Sequence, residues 1–184
     1  MRIVVVSILL ISLPAPCFCD ALTPDQQEAV RTWDKQNEEN RTTRARLLAE
    51  LPRWKPIRFY SLDPVASRKR SIESRGHFHD WVVVAEAAPR DVSSGTAIVG
   101  SLRKILETPS NGVAACFDPH HAVRFTDGTR TFDLVICFEC FRYYLYSSDG
   151  SLILGDSFEA LRQERKWDRA FNAAGIARRV GGAK

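Results

Sequence analysis

Residues 121–154 read HAVRFTDGTRTFDLVICFECFRYYLYSSDGSLIL, and the reading of this stretch decides the fold. Runs of apolar, β-branched and aromatic residues are parted by turn residues at short, regular intervals, which is the pattern of an antiparallel meander. His121 to Phe125 is the first predicted strand, and Thr126-Asp127-Gly128-Thr129 the turn after it, in which Gly128 accepts a positive φ at little steric cost. Arg130 to Phe138 returns with Phe132, Leu134, Ile136 and Phe138 on one face. Phe141 to Tyr146 follows, as a third strand or a bent continuation. Ser148-Asp149-Gly150 then leads into Ser151 to Leu154, short enough for an edge strand, a length that discourages pairing with other chains.

Upstream, Ile57 to Leu62 is predicted as a strand between Pro56 and Asp63-Pro64, and Trp81 to Ala85 as a strand apolar enough for burial on both faces. Val65 to Gly76 is polar and basic and reads as a loop. Thr96 to Glu107 is a predicted helix, because Ile98, Val99, Leu102, Ile105 and Leu106 recur at helical spacing, and Pro109 and Asn111-Gly112 stop it. The residues from Pro89 to Gly95 read as a break before it. A last helix is predicted from Asp156, with Glu159 as capping partner and Phe158, Leu161, Ala170, Phe171 and Ala174 buried, ending at Gly175. The expected fold is therefore α+β: an antiparallel sheet of about five or six strands with the two helices packed on one face.

The N-terminal end has a different character. Arg2 precedes a run from Ile3 to Leu13 that only Ser7 and Ser12 interrupt, followed by Pro14 and Pro16. A charged start, an apolar core too short to span a bilayer comfortably and a breaker before small residues are the marks of a secretory signal peptide over 1–19. The rival is lipidation at Cys17, within Leu13-Pro14-Ala15-Pro16-Cys17, although Pro16 stands where a lipoprotein box needs a small residue. Residues 20–52 are expected to form a long helical arm: Thr23 and Gln26 make a capping box, Pro24 suits the first helical position, and Lys35 to Arg46 is almost wholly polar. Residues 53–184 are expected as a single α+β domain.

A net charge of +4 across 184 residues, with Lys and Arg interleaved among Asp and Glu, is a mildly basic surface and excludes a nucleic-acid footprint. Contact with a membrane is expected only through an uncleaved signal or a lipid anchor. Phosphate loops, nucleophile elbows and His-Glu-x-x-His motifs do not occur, so nucleotide and serine-hydrolase chemistry have no foundation.

The concentrated chemistry is Cys116, His120, His121, Cys137 and Cys140. Cys137 and Cys140 at their spacing supply half of a tetrahedral zinc shell, which Cys116 with His121 or His120 completes. The same pair can instead form a reversible disulfide, or Cys116 can bridge either of them statically, or all three can pack as small apolar side chains. Strand alternation places Cys137 opposite Ile136 and turns Cys140 the other way, so these two thiols converge only where the chain turns near Phe138-Glu139. His77-Phe78-His79 puts two further imidazoles on one face if the segment is extended.

The segments Ala114-Ala115-Cys116-Phe117-Asp118-Pro119-His120-His121 and Ile136-Cys137-Phe138-Glu139-Cys140 together resemble a family of uncharacterised small bacterial exported or lipoprotein-like proteins, over about Phe59 to Leu154. The resemblance implies a bacterial source and an exported, periplasmic or envelope location, and it points to Cys116, His121, Cys137 and Cys140 as site residues. It brings no activity with it. His120-His121-Ala122 stands where the family has Arg-His-Gly, so His121 matches and His120 does not. The expectation is a non-enzymatic domain whose cluster is structural, through a disulfide or zinc, with a thiol-redox or metal-dependent enzyme as the alternative.

Overall fold

A computed structural model describes residues 23–69, 76–110, 116–159 and 162–176. Contacts divide the chain into two compact units, Met1–Lys35 and Gln36–Lys184. The N-terminal helix is α1 (Pro24–Glu50). In the first unit Thr23 and Gln26 form the reciprocal capping box, with Thr23 N donating to Gln26 Oε1 at 2.9 Å and Gln26 N to Thr23 Oγ1 at 3.3 Å. The expected signal peptide over 1–19 and the candidate lipidation residue Cys17 lie outside the described residues.

The second unit holds one eight-stranded sheet. Its strands are β1 (Lys55–Asp63), β2 (His77–Phe78), β3 (Trp81–Ala87), β4 (Pro109–Ser110), β5 (His121–Thr126), β6 (Thr131–Cys137), β7 (Arg142–Ser147) and β8 (Leu152–Phe158). The order across the sheet is β2-β3-β1-β5-β6-β7-β8-β4, and every pairing is antiparallel. β5 to β8 are the expected meander. Both ends of the sheet finish in two-residue strands, which leave little edge to recruit another chain.

Helices α2 (Pro64–Lys69), α3 (Val92–Glu107) and α4 (Glu164–Ala173) complete the unit. Period-two alternation separates the two faces of the sheet. On one, Phe59, Val123, Phe125, Leu134, Ile136 and Leu145 join Ile98, Leu102 and Ile105 of α3, Trp167 and Phe171 of α4, and Leu47 and Leu51 in a single buried cluster. On the other, Tyr60, Leu62, Phe78, Ala122 and Val135 form a smaller cluster flanked by Trp81, Phe117 and Tyr146.

Several boundaries differ from expectation. α3 begins at Val92, because Asp91 caps it by accepting from Ser94 N at 2.7 Å. The helix carries Gly95 in its second turn, where a Cβ would sit 3.2 Å from Pro56 Cγ. Asp156 lies within β8, not at a helix start: β8 continues to Phe158 because Arg142 and Tyr143 of β7 pair with Ser157 and Asp156. α4 starts only at Glu164. The expected loop from Val65 begins instead within the short helix α2, with Ala66 buried.

Candidate functional site

The chain does turn after Cys137. Residues 138–141 make the β6–β7 turn, and Phe141 takes φ 50°, a left-handed conformation costly for an aromatic residue. The turn brings the backbone N–H of Cys140 to Cys137 Sγ at 3.1 Å. Cys116 approaches from the irregular segment ahead of β5 and sets its Sγ 3.3 Å from Cys140 Sγ. Cys137 and Cys140 are buried and Cys116 is exposed; among the described residues all three are unbridged. The thiols of Cys140 and Cys116 resist ionisation. Burial, then the neighbouring Cys137, pushes the Cys140 thiol up, opposed by the Asp118 backbone amide. Cys116 is raised chiefly by its hydrogen bond with Cys140.

His121 belongs to another environment. It is paired across the sheet with Ile136, and so lies on the helix-bearing face, whereas Cys137 falls on the opposite face one residue later. Its ring packs edge-on against Phe171 at 4.8 Å and Phe138 at 5.6 Å, and its Nε2 lies 3.0 Å from Asp168 Oδ1 of α4. The structure thus unites Cys116, Cys137 and Cys140 and leaves His121 in the core. Among the described residues no three His, Cys, Asp or Glu side chains are placed to hold a metal ion. Comparison with protein-family models, with curated proteins and with solved structures gives no match.

The thiols share their sheet face with a polar network that sequence reasoning did not find. Asp133, buried in β6, receives two parallel hydrogen bonds from Arg124 of β5, Nε to Oδ1 and Nη2 to Oδ2, each 2.7 Å. This pairing raises the guanidinium's pKa, which keeps it charged. His79 Nε2 lies 3.1 Å from Asp133 Oδ2, and the His79 ring stacks on Tyr146 at 4.0 Å. Arg124 also lies over Phe78 at 5.4 Å. The segment His77-Phe78-His79 is not extended throughout: His79 takes φ 54°, and its Nε2 meets Asp133.

Phe117 connects the two groups. Its ring meets Tyr144 at 4.6 Å and Trp81 at 5.6 Å, both edge to face, so the residue after Cys116 is anchored on the aromatic face. Tyr144 in turn lies against Gly155, where a Cβ would come within 2.7 Å of its ring. Chemically, the site offers adjacent thiols, fixed by aromatic packing, beside a face presenting tyrosines and a charge-assisted Arg-Asp-His network.

Proposed function

We propose that this chain is an exported bacterial domain that binds a partner and does not catalyse, and that Cys116 and Cys140 close as a structural disulfide. The observation that carries the reading is the 3.3 Å approach of their sulfurs, which places them a short movement from the separation of about 2 Å in a disulfide. Such a bridge closes a loop between residues 24 apart in sequence and, in chain-entropy terms, is worth about 3.5 kcal/mol. It would hold the segment ahead of β5 on the β6–β7 turn and keep Phe117 seated on the aromatic face, where we place the binding surface. The raised pKa values of Cys116 and Cys140 count against either of these two as the nucleophile of a thiol enzyme, which needs thiolate at neutral pH. The alternative of a redox-active Cys137–Cys140 pair has the Cys140 N–H to Cys137 Sγ hydrogen bond in its favour, since that contact holds the Cys137 sulfur against Cys140.

Tryptic peptides test it directly. Cys116 lies on peptide 105–124, Cys137 and Cys140 lie together on 131–142, and Cys17 and Cys19 fall on 3–31. Protein oxidised in air, alkylated in denaturant and digested should yield 105–124 linked to 131–142. Alkylation of all three thiols, together with a native mass gain matching zinc that is lost on denaturation, would replace the disulfide by a metal. Peptide 131–142 two hydrogens light on its own, with Cys116 always alkylated, would transfer the reading to the Cys137–Cys140 pair.

A further inference from the structure

Cys140 has two thiol neighbours of opposite accessibility. The exposed Cys116 lies 3.3 Å away. The buried Cys137 lies three residues back, its Sγ receiving the N–H of Cys140 itself at 3.1 Å. Disulfides span Cα separations of about 4.4–6.8 Å, and a Cys137 sulfur seated on the Cys140 amide is within that reach. Either neighbour is therefore within bridging reach of the same sulfur.

From this arrangement we infer that the cluster is a disulfide relay, in which the bridge passes between Cys116–Cys140 and Cys137–Cys140 by internal thiol–disulfide exchange. The inference rests on the Cys116–Cys140 bridge proposed above. The Cys137 thiol gives up its proton, and its sulfur attacks Cys140 Sγ. The Cys137–Cys140 bond forms as the Cys140–Cys116 bond breaks, and Cys116 leaves as a thiolate that takes up a proton. One disulfide and one thiol are present before and after, so no oxidant or reductant is consumed. One feature of the turn serves the step: the Cys140 N–H bond holds Cys137 Sγ, the attacking sulfur, against the residue it attacks. The outcome is an exchange of surfaces: a buried thiol is consumed and an exposed one is released beside Phe117, where its thiolate can attack a partner's disulfide, forming a mixed disulfide as the partner's second sulfur leaves as a thiol.

Kinetic trapping in the full oxidised chain tests the relay. The protein is desalted at about pH 4, where thiolate is scarce, then brought to about pH 8 with N-ethylmaleimide and no added thiol. Aliquots are quenched in acid and digested. Label should accumulate on peptide 105–124 while 131–142 becomes two hydrogens light, at a rate independent of protein concentration. In Cys137→Ala the linked 105–124 and 131–142 peptides should persist, with labelling of Cys116 slowed about tenfold or more. Cys137→Ser serves as a second variant, and the linked peptides in either variant report that the fold still brings Cys116 to Cys140. Linked peptides that persist in the unmodified chain, with Cys137 alone alkylated after denaturation, would overturn the relay and leave the structural bridge standing. Three thiols labelled at the first time point would remove the bridge itself.

Discussion

The hydroxyl of Tyr143 is buried on the helix-bearing side of β7 and has no hydrogen-bond partner among the described residues. Burial pushes the phenol's pKa up, so it stays neutral and its cost is that of an unsatisfied polar group. Tyr143→Phe removes that group and keeps the ring. The variant should be more stable by about 1 kcal/mol, read as a higher urea midpoint at unchanged slope; a lower midpoint would mean that the hydroxyl is satisfied. Asp133 presents the opposite case, since its carboxylate serves both Arg124 and His79. Asp133→Ala strands both and should cost about 1–3 kcal/mol in the same assay. Neither role was legible in the sequence. The thiols were visible as candidates, but His79 lies 54 residues from Asp133, and nothing local announces a partner at that distance. The position of His121 was legible in part: alternation puts it with Val123 and Phe125, but its separation from Cys137 also requires the hairpin register that pairs His121 with Ile136.

At the level of elements, two of the three hairpin turns of the meander, those after β5 and β7, are each organised by an aspartate. Asp127 Oδ1 accepts from the backbone N–H groups of Thr129 and Arg130, both at 2.9 Å, while Oδ2 accepts from the Arg130 side chain. These bonds, the Arg130 amide foremost, hold its carboxyl far below the usual range. Asp149 accepts from the Ser147 hydroxyl and from Ser151 N, and its pKa falls to about 2. A carboxylate whose pKa is depressed by folding stabilises the fold fully above its unfolded value, near 4, and loses that contribution as pH falls through the folded value. The melting temperature should therefore fall from about pH 4 to about pH 2, with Asp127 still contributing at the acid end. Asp127→Asn with Asp149→Asn should melt lower at neutral pH and show a flatter acid limb; an unchanged acid limb would locate the pH dependence elsewhere. Turn chemistry of this kind is written in three or four adjacent residues, so both turns were readable. The junction between β8 and α4 was not. Asp156 and Glu159 carry a local capping pattern, but ladder bonds to β7 claim Asp156 and Ser157, and a long-range pairing overrides the local preference.

Across the second unit, the helix-bearing face is one continuous core. Trp167 of α4 packs among Phe138, His121 and Phe171, and its indole N–H donates to Ser101 Oγ of α3 at 2.8 Å, with both side chains buried. The two helices are thus tied to each other by a hydrogen bond and to the sheet by the same apolar residues. The amphipathic spacing of α3 made its docking on the sheet predictable. The tie to α4 was not predictable, because Ser101 reads in sequence as an ordinary polar residue between Gly100 and Leu102. Ser101→Ala leaves the Trp167 N–H buried without an acceptor and should cost about 1–3 kcal/mol. Since α4 shares its core with α3 and the sheet, that loss should lower the whole unit's transition without dividing it. Far-ultraviolet circular dichroism and tryptophan fluorescence should then report coincident midpoints, both shifted down in Ser101→Ala. An early, partial loss of helical signal ahead of the main transition would mean that α4 unfolds separately and that the core is divided where the packing makes it continuous.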